Sequence, residues 1–287
     1  MAAAEAAPTL PDDISIEELR RLNFKGYENA AREAVIEHNV TLQDVEIEGI
    51  PCLRITPPEV SSGRMMLYIF GGGFIVGSPF EDIPISAALA ASLNCTVICP
   101  KYRLAPEHPF PAALDDIEAV ALELLASDSA LVFAGESAGG NLVLALYQRL
   151  QTKASKKPVA MAVLSPATDL SDTGDSGSAD RDPLLSLARI DEVNKVYVPN
   201  MDLTRPEISP IYGQYGPDTP PTIITTGTRD LLLSSCVRQE RVMREAGAHV
   251  TLRVWEGQGH VFEFYPDIPE ARVSLTEIAE FLENNLE

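Results

Sequence analysis

A serine flanked by glycines, in Gly135-Glu136-Ser137-Ala138-Gly139, stands where an apolar run (Leu131 to Ala134) gives way to a helical run (Leu142 to Leu150). A G-x-S-x-G pentapeptide between strand and helix makes the chain reverse sharply and holds the hydroxyl out at the turn. Such a corner crowds strand against helix, which Gly135 and Gly139 relieve. The helix behind it offers free N–H groups and a positive dipole end, both suited to a developing oxyanion. A serine hydroxyl is a poor nucleophile at neutral pH and needs a base, which in turn needs an acid to orient it. Two loops downstream supply these in order. Asp230 closes Gly227-Thr228-Arg229-Asp230, and His260 closes Gly257-Gln258-Gly259-His260, each just after a strand-type run. The pattern points to acyl transfer by Ser137, His260 and Asp230. The structural alternatives are a loop serine, an N-cap aspartate and a loop histidine, and the strand-end positions argue against them. His38 falls on a helix, His108 in a Pro-rich stretch and His249 at a strand start, so all three fit packing or surface roles. Asp169 also follows a strand and is the rival to Asp230.

Acyl transfer also requires donors for the tetrahedral oxygen. Phe70-Gly71-Gly72-Gly73-Phe74 follows a buried-type strand, and glycines let backbone N–H groups approach an oxyanion with no Cβ in the way. Gly71 and Gly72 are the expected donors, with Ala138 as the third. A phosphate cradle is disfavoured because no Gly-Lys-Ser/Thr follows. Glu136 is expected to anchor the corner by hydrogen bonds, while Asp115, Asp116 and Glu118 lie on a helix and read as structural. The scattered histidines show no metal-ligand spacing, and no C-x-x-C occurs among Cys52, Cys95, Cys99 and Cys236. Cys95 and Cys99 would stand about 13 Å apart on a strand, too far for a disulfide. Reduced, buried thiols in the cytoplasm are the expectation.

The elements that must position these residues alternate along the chain. Two short amphipathic helices (Ile16 to Leu22, Ala31 to His38) precede edge strands near Val45–Glu48 and Leu53–Thr56. A buried strand follows at Met65 to Phe70. Then come strands at Thr96–Cys99, Leu131–Phe133 and Val159–Leu164, separated by helices at about Ile83–Leu93, Pro111–Leu125 and Leu142–Leu150. That order predicts a doubly wound, mostly parallel sheet flanked by helices. Residues 169–216 break the rhythm with polar, Gly and Pro residues and one helix near Ile190 to Tyr197. They read as an excursion that joins residues 1–40 in a cap over core segments 41–168 and 217–287. Phe74, Tyr197 and Tyr212 are the candidate pocket residues. A strand at Val250–Val254 and a last helix close the chain. Hydrophobic residues at 45% suffice for a large core, and 22 basic against 42 acidic residues give a formal charge of −20, which repels nucleic acid and anionic membranes. No apolar run approaches the ~20 residues of a membrane helix, and no secretory signal is expected.

These residues resemble the hormone-sensitive-lipase family of α/β-hydrolases. The likeness rests on Gly135 to Asn141, on Tyr102-Arg103-Leu104-Ala105-Pro106-Glu107-His108-Pro109-Phe110-Pro111-Ala112, and on Ser165-Pro166, Asp169-Leu170, Arg181-Asp182-Pro183 and Ser209-Pro210. The resemblance implies an α/β-hydrolase fold with a helical cap. It implies Ser137, Asp230 and His260 as a triad and Gly71, Gly72 and Ala138 as the oxyanion hole. It further implies hydrolysis of short-chain carboxylic esters without a cofactor, and a homodimer through the last edge strand, here Val250 to Val254. Lactone, thioester or amide hydrolysis with the same triad is the nearest alternative. A non-catalytic small-molecule receptor of the same fold is a more distant one, disfavoured by the presence of His260. One departure is Phe70, where the family usually has His before the three glycines. Phe70 cannot donate a hydrogen bond, so another group must hold the loop.

Overall fold

The computed structural model describes residues 14–172, 174–179 and 181–286. Its chain order is α1 (Ile16–Glu37), β1 (Thr41–Ile47), β2 (Ile50–Thr56), β3 (Arg64–Ile69), α2 (Ile83–Leu93), β4 (Thr96–Pro100), α3 (Ala112–Ala126), β5 (Ala130–Glu136), α4 (Ser137–Lys153), β6 (Ala160–Leu164), α5 (Leu187–Tyr197), β7 (Thr222–Gly227), α6 (Leu233–Glu245), β8 (Val250–Trp255) and α7 (Pro269–Leu286). The strands form one eight-stranded sheet in the order β1-β2-β4-β3-β5-β6-β7-β8. β1 and β2 pair antiparallel at one edge, β2 runs antiparallel to β4, and the remaining pairs are parallel.

Sequence pattern explains the layers. β6 and β7 are buried along their whole length, as uniformly apolar or Thr-rich strands covered on both faces must be. β1 alternates exposed and part-buried residues, following its alternation of acidic and apolar side chains. The two helices expected before the first strand are one continuous helix, α1. Gly26 does not divide it, because a single glycine costs only ~1 kcal/mol in a helix that Leu19, Ala31 and Ala34 fasten to the core. The helix after the G-x-S-x-G corner begins at Ser137 itself, so the nucleophile candidate is the first helical residue. All four cysteines are free and buried.

Parallel pairing sets the site. β5 lies between β3 and β6, and Ile69 stands in register with Gly135. The loops leaving β3, β5, β6, β7 and β8 therefore all open at one end of the sheet. They carry Phe70 to Phe74, Ser137, Ser165, Asp230 and His260.

Candidate active site

The corner at Ser137 is strained, with φ +51°, a backbone region that non-glycine residues rarely occupy. Its tightness is enforced by Gly139, where a Cβ would run into the carbonyls of Ile69 and Phe70. His260 Nε2 lies 2.9 Å from Ser137 Oγ, and His260 Nδ1 lies 3.1 Å from Asp230 Oδ1. The base and acid loops brace one another, since Arg229 N donates to Gln258 O at 2.9 Å and Gly257 N donates to Thr228 Oγ1 at 2.8 Å.

Asp230 is buried yet richly solvated by protein. Besides the imidazole it accepts from Leu232 N at 2.8 Å and from Thr226 Oγ1 at 2.8 Å, and the Ser165 hydroxyl also bonds to it. Burial alone would raise its pKa, but His260 and these donors outweigh burial and hold the carboxyl below its ordinary value. For His260, burial opposes the charged form. Asp230 outweighs it, with Asp182 and Glu136 adding to the pull, and the imidazole is pushed up to about 9. Ser165 ties the base loop in as well, accepting from Val261 N at 3.1 Å, where Val261 is held at φ +43°. Asp230 does not cap α6, whose N-cap is Leu232; its side chain closes a local turn by accepting from Leu232 N, while Leu233 N donates to its backbone carbonyl.

Phe70, the departure from the usual histidine, is held by Tyr102. Their rings stack at 4.1 Å, and the Tyr102 hydroxyl donates to Phe70 O at 2.8 Å. Gly71 differs from expectation, because its amide is taken up by the Glu136 carboxylate and a Cβ there would collide with Glu136 Oε1. Among the described residues, neither Gly72 N nor Gly73 N donates to a protein acceptor, and no side chain caps the start of α4 at Ala138. Those three amides face no competitor for an oxyanion.

Of the candidate pocket residues, Phe74 and Tyr197 are buried and stacked face to face at 3.7 Å. They join the loop to α5, whose Val193 sits 3.0 Å from where a Cβ on Gly73 would be. Tyr212 belongs elsewhere. Its half-exposed ring turns its hydroxyl to Ser171 Oγ at 3.0 Å and Asp169 Oδ2 at 3.3 Å. Asp169 is occupied by that network and by Arg238 at 2.7 Å, so it does not compete for His260. Arg103 grips Asp116, while Arg149 pairs with Asp115 and Glu118, as structural carboxylates should.

Sequence reasoning missed Asp82 and Asp182. Asp182 accepts from Leu184 N, Leu185 N and, across to the acid loop, Leu231 N at 2.8 Å. Its only prior signal was the Arg181-Asp182-Pro183 stretch. Asp182, Asp230 and His260 place ligand-type atoms within 4.8 Å of one another. The Asp230 oxygens are already filled by hydrogen-bond donors, so the cluster does not suit a cation. No helix among the described residues is long and apolar enough to cross a membrane.

A family model described as the alpha/beta hydrolase fold matches residues 66–264. Over 258 residues the chain is 31% identical to an acetyl-hydrolase of Streptomyces hygroscopicus, covering 88% of this chain and 86% of that protein. It is 30% identical over 249 residues to an esterase of Acinetobacter venetianus, covering 84% and 82%. The crystal structure of an esterase from the bacterial hormone-sensitive lipase family superposes with a TM-score of 0.89 at 29% identity, covering 97% of this chain and 94% of that one.

Proposed function

We propose, from the premise that the chain belongs to the hormone-sensitive-lipase family of α/β-hydrolases and is a carboxylic ester hydrolase, that it cleaves short-chain esters through Ser137, His260 and Asp230. The observation that carries this reading is the continuous contact from Ser137 Oγ to His260 Nε2 and from His260 Nδ1 to Asp230, on a corner strained at φ +51°. Ser137 Oγ attacks the ester carbonyl while His260 Nε2 takes its proton, and Asp230 holds the resulting imidazolium. The oxyanion is met by the amides of Ala138, Gly72 and, in place of Gly71, Gly73. Collapse expels the alcohol, which leaves with the proton from His260. Water then attacks the acyl-enzyme by the same route and frees Ser137.

The preference for small acyl groups is supported by the lack of room above the loop, where Val193 closes over Gly73 and Phe74 stacks on Tyr197. In this reading α1 and residues 169–216 make up the cap. Arg20 of α1 donates to Ile75 O at 2.8 Å and so clasps the far end of the oxyanion loop. The outer edge of β8 is unpaired in the sheet and Val254 on it is exposed, which supports a homodimer through that edge. The four buried thiols support a reducing compartment such as the cytoplasm.

The test is hydrolysis of p-nitrophenyl acetate, butyrate and palmitate by the protein and by Ser137→Ala. Turnover of the two short esters, weak turnover of palmitate and none by the variant, with unchanged circular dichroism, is the expected result. Full activity in Ser137→Ala would overturn the mechanism, and preference for palmitate would overturn the chain-length reading.

A further inference from the structure

Behind the oxyanion loop lie two carboxyl groups that the hydrolytic mechanism does not use. Asp82 precedes α2 and Glu136 precedes α4, each at the N-cap position, where a carboxylate ordinarily accepts from its own helix. Neither does so. The two side chains hydrogen-bond to each other instead, both almost fully buried. No Lys or Arg pairs with either one among the described residues. Two carboxyl groups can share a hydrogen bond only if one of them carries a proton. The Tyr68 hydroxyl fixes the outer end by donating to Asp82 Oδ2 at 3.0 Å, and the Gly71 amide fixes the inner end on Glu136.

We propose that Asp82 and Glu136 share one proton across this buried contact, and that the singly charged pair holds Gly71, and with it the oxyanion loop, in register with Ser137. The proposal rests on the serine-esterase reading. Both are positioning residues acting through the Gly71 backbone. The groups facing the pair leave little else to neutralise it. They are Tyr27 from α1, Tyr68 from β3, Glu81 before α2, Cys99 on β4, Tyr102 after β4, and His260 and Glu263 after β8. Of these only His260 can be cationic. Burial, reinforced by the neighbouring Glu136, lifts Asp82 well above the usual carboxylate range, so Asp82 keeps the proton. Glu136 is also raised, burial again leading, while His260 and the Gly71 amide restrain the rise. Loss of the shared proton at alkaline pH sets two carboxylates against each other in a dry site and frees Gly71 to shift.

The experiment is a pH profile of kcat on p-nitrophenyl acetate, from about pH 6 to about 11, for the protein and for Asp82→Asn, Glu136→Gln and Glu136→Ala. Alongside it, infrared difference spectra follow the protonated-carboxyl C=O band. The wild type should lose kcat at the alkaline end, and Asp82→Asn and Glu136→Gln, whose amides keep the contact without a titrating proton, should lack that fall. Glu136→Ala should lower kcat about 10- to 100-fold with little change in KM, the scale of a misplaced catalytic group, and Glu136→Gln should recover most of the loss. The infrared band should be present in the wild type at neutral pH, absent from Asp82→Asn, and shifted in frequency in Glu136→Gln, where the protonated Asp82 loses its carboxylate partner. An alkaline fall shared by wild type and both amide variants, or a band indifferent to both, overturns the proposal. If Glu136→Ala does not fold, the amide variants decide. If the wild type hydrolyses no ester, the esterase reading fails, while the infrared band still tests the pair.

Discussion

Replacing Asp230 by Asn keeps the size of the side chain but exchanges one acceptor oxygen for a donor. In the native site the four donors around Asp230 are the His260 ring, Leu232 N, Thr226 Oγ1 and the Ser165 hydroxyl, so an amide cannot satisfy all of them. If the NH2 faces His260, the ring must carry its proton on Nε2, where it cannot take one from Ser137. The expected loss is about four orders of magnitude in kcat, or ~5 kcal/mol of transition-state stabilisation. A second signature comes from the charge. In the wild type kcat/KM should climb with pH as His260 loses its proton, with a midpoint near the value of about 9 that Asp230 imposes on the imidazole against its burial. The unfolded-state value is about 6.5. A folded pKa raised above the unfolded one contributes stability that is complete below about pH 6.5 and is lost as pH rises toward about 9. The separation corresponds to on the order of 3 kcal/mol. Urea unfolding at a series of pH values should therefore show wild-type stability declining across that window, with the decline absent in Asp230→Asn. The remaining activity of the variant should reach its plateau at lower pH. A variant within tenfold of wild-type kcat, or one with an unshifted pH limb, would mean that the Asp230 carboxylate neither orients nor charges the imidazole.

Ser165→Ala removes a donor to Asp230 and strands Val261 N. It should cost about 1–3 kcal/mol in urea unfolding and lower kcat about tenfold, since both catalytic loops lean on that hydroxyl. Gly139→Ala drives a methyl into the Ile69 and Phe70 carbonyls, so destabilisation on the order of 3 kcal/mol or more should appear as insoluble protein or a low unfolding midpoint. Arg20→Ala loses bonds to Ile75 O and Ala105 O along with the half-exposed pair to Glu107. After allowance for solvent screening, the expected loss is about 1–2 kcal/mol by thermal unfolding, with a fall in kcat larger than the change in KM.

The parts of this molecule that were legible in the sequence are those with a local signature. Ser137 announced itself because a sharp corner needs glycines on both sides, and Asp230 and His260 because each follows a strand-type run at the same end of the sheet. The parallel order of strands followed from alternation of apolar runs with helical periods. The contribution of Gly71 was not legible, because three consecutive glycines look alike until a distant carboxylate selects one of their amides. Asp82 gave no local signal, since only the fold brings the segment before α2 beside Glu136 at the corner between β5 and α4. Tyr212 was placed in the pocket because it lies in the segment over the sheet, yet the carboxylate of Asp169 draws its hydroxyl away. The unity of α1 was hidden by Gly26, whose cost is absorbed by packing on either side.

The central claim, that Ser137 is a nucleophile activated by His260, is tested most directly by a fluorophosphonate probe followed by intact mass and peptide mapping. A single adduct on Ser137 is expected in the wild type, none in Ser137→Ala, and labelling slowed by at least about a hundredfold in His260→Ala, the lower end of what general-base assistance contributes. An adduct on another residue, or His260→Ala labelled as fast as the wild type, would contradict it.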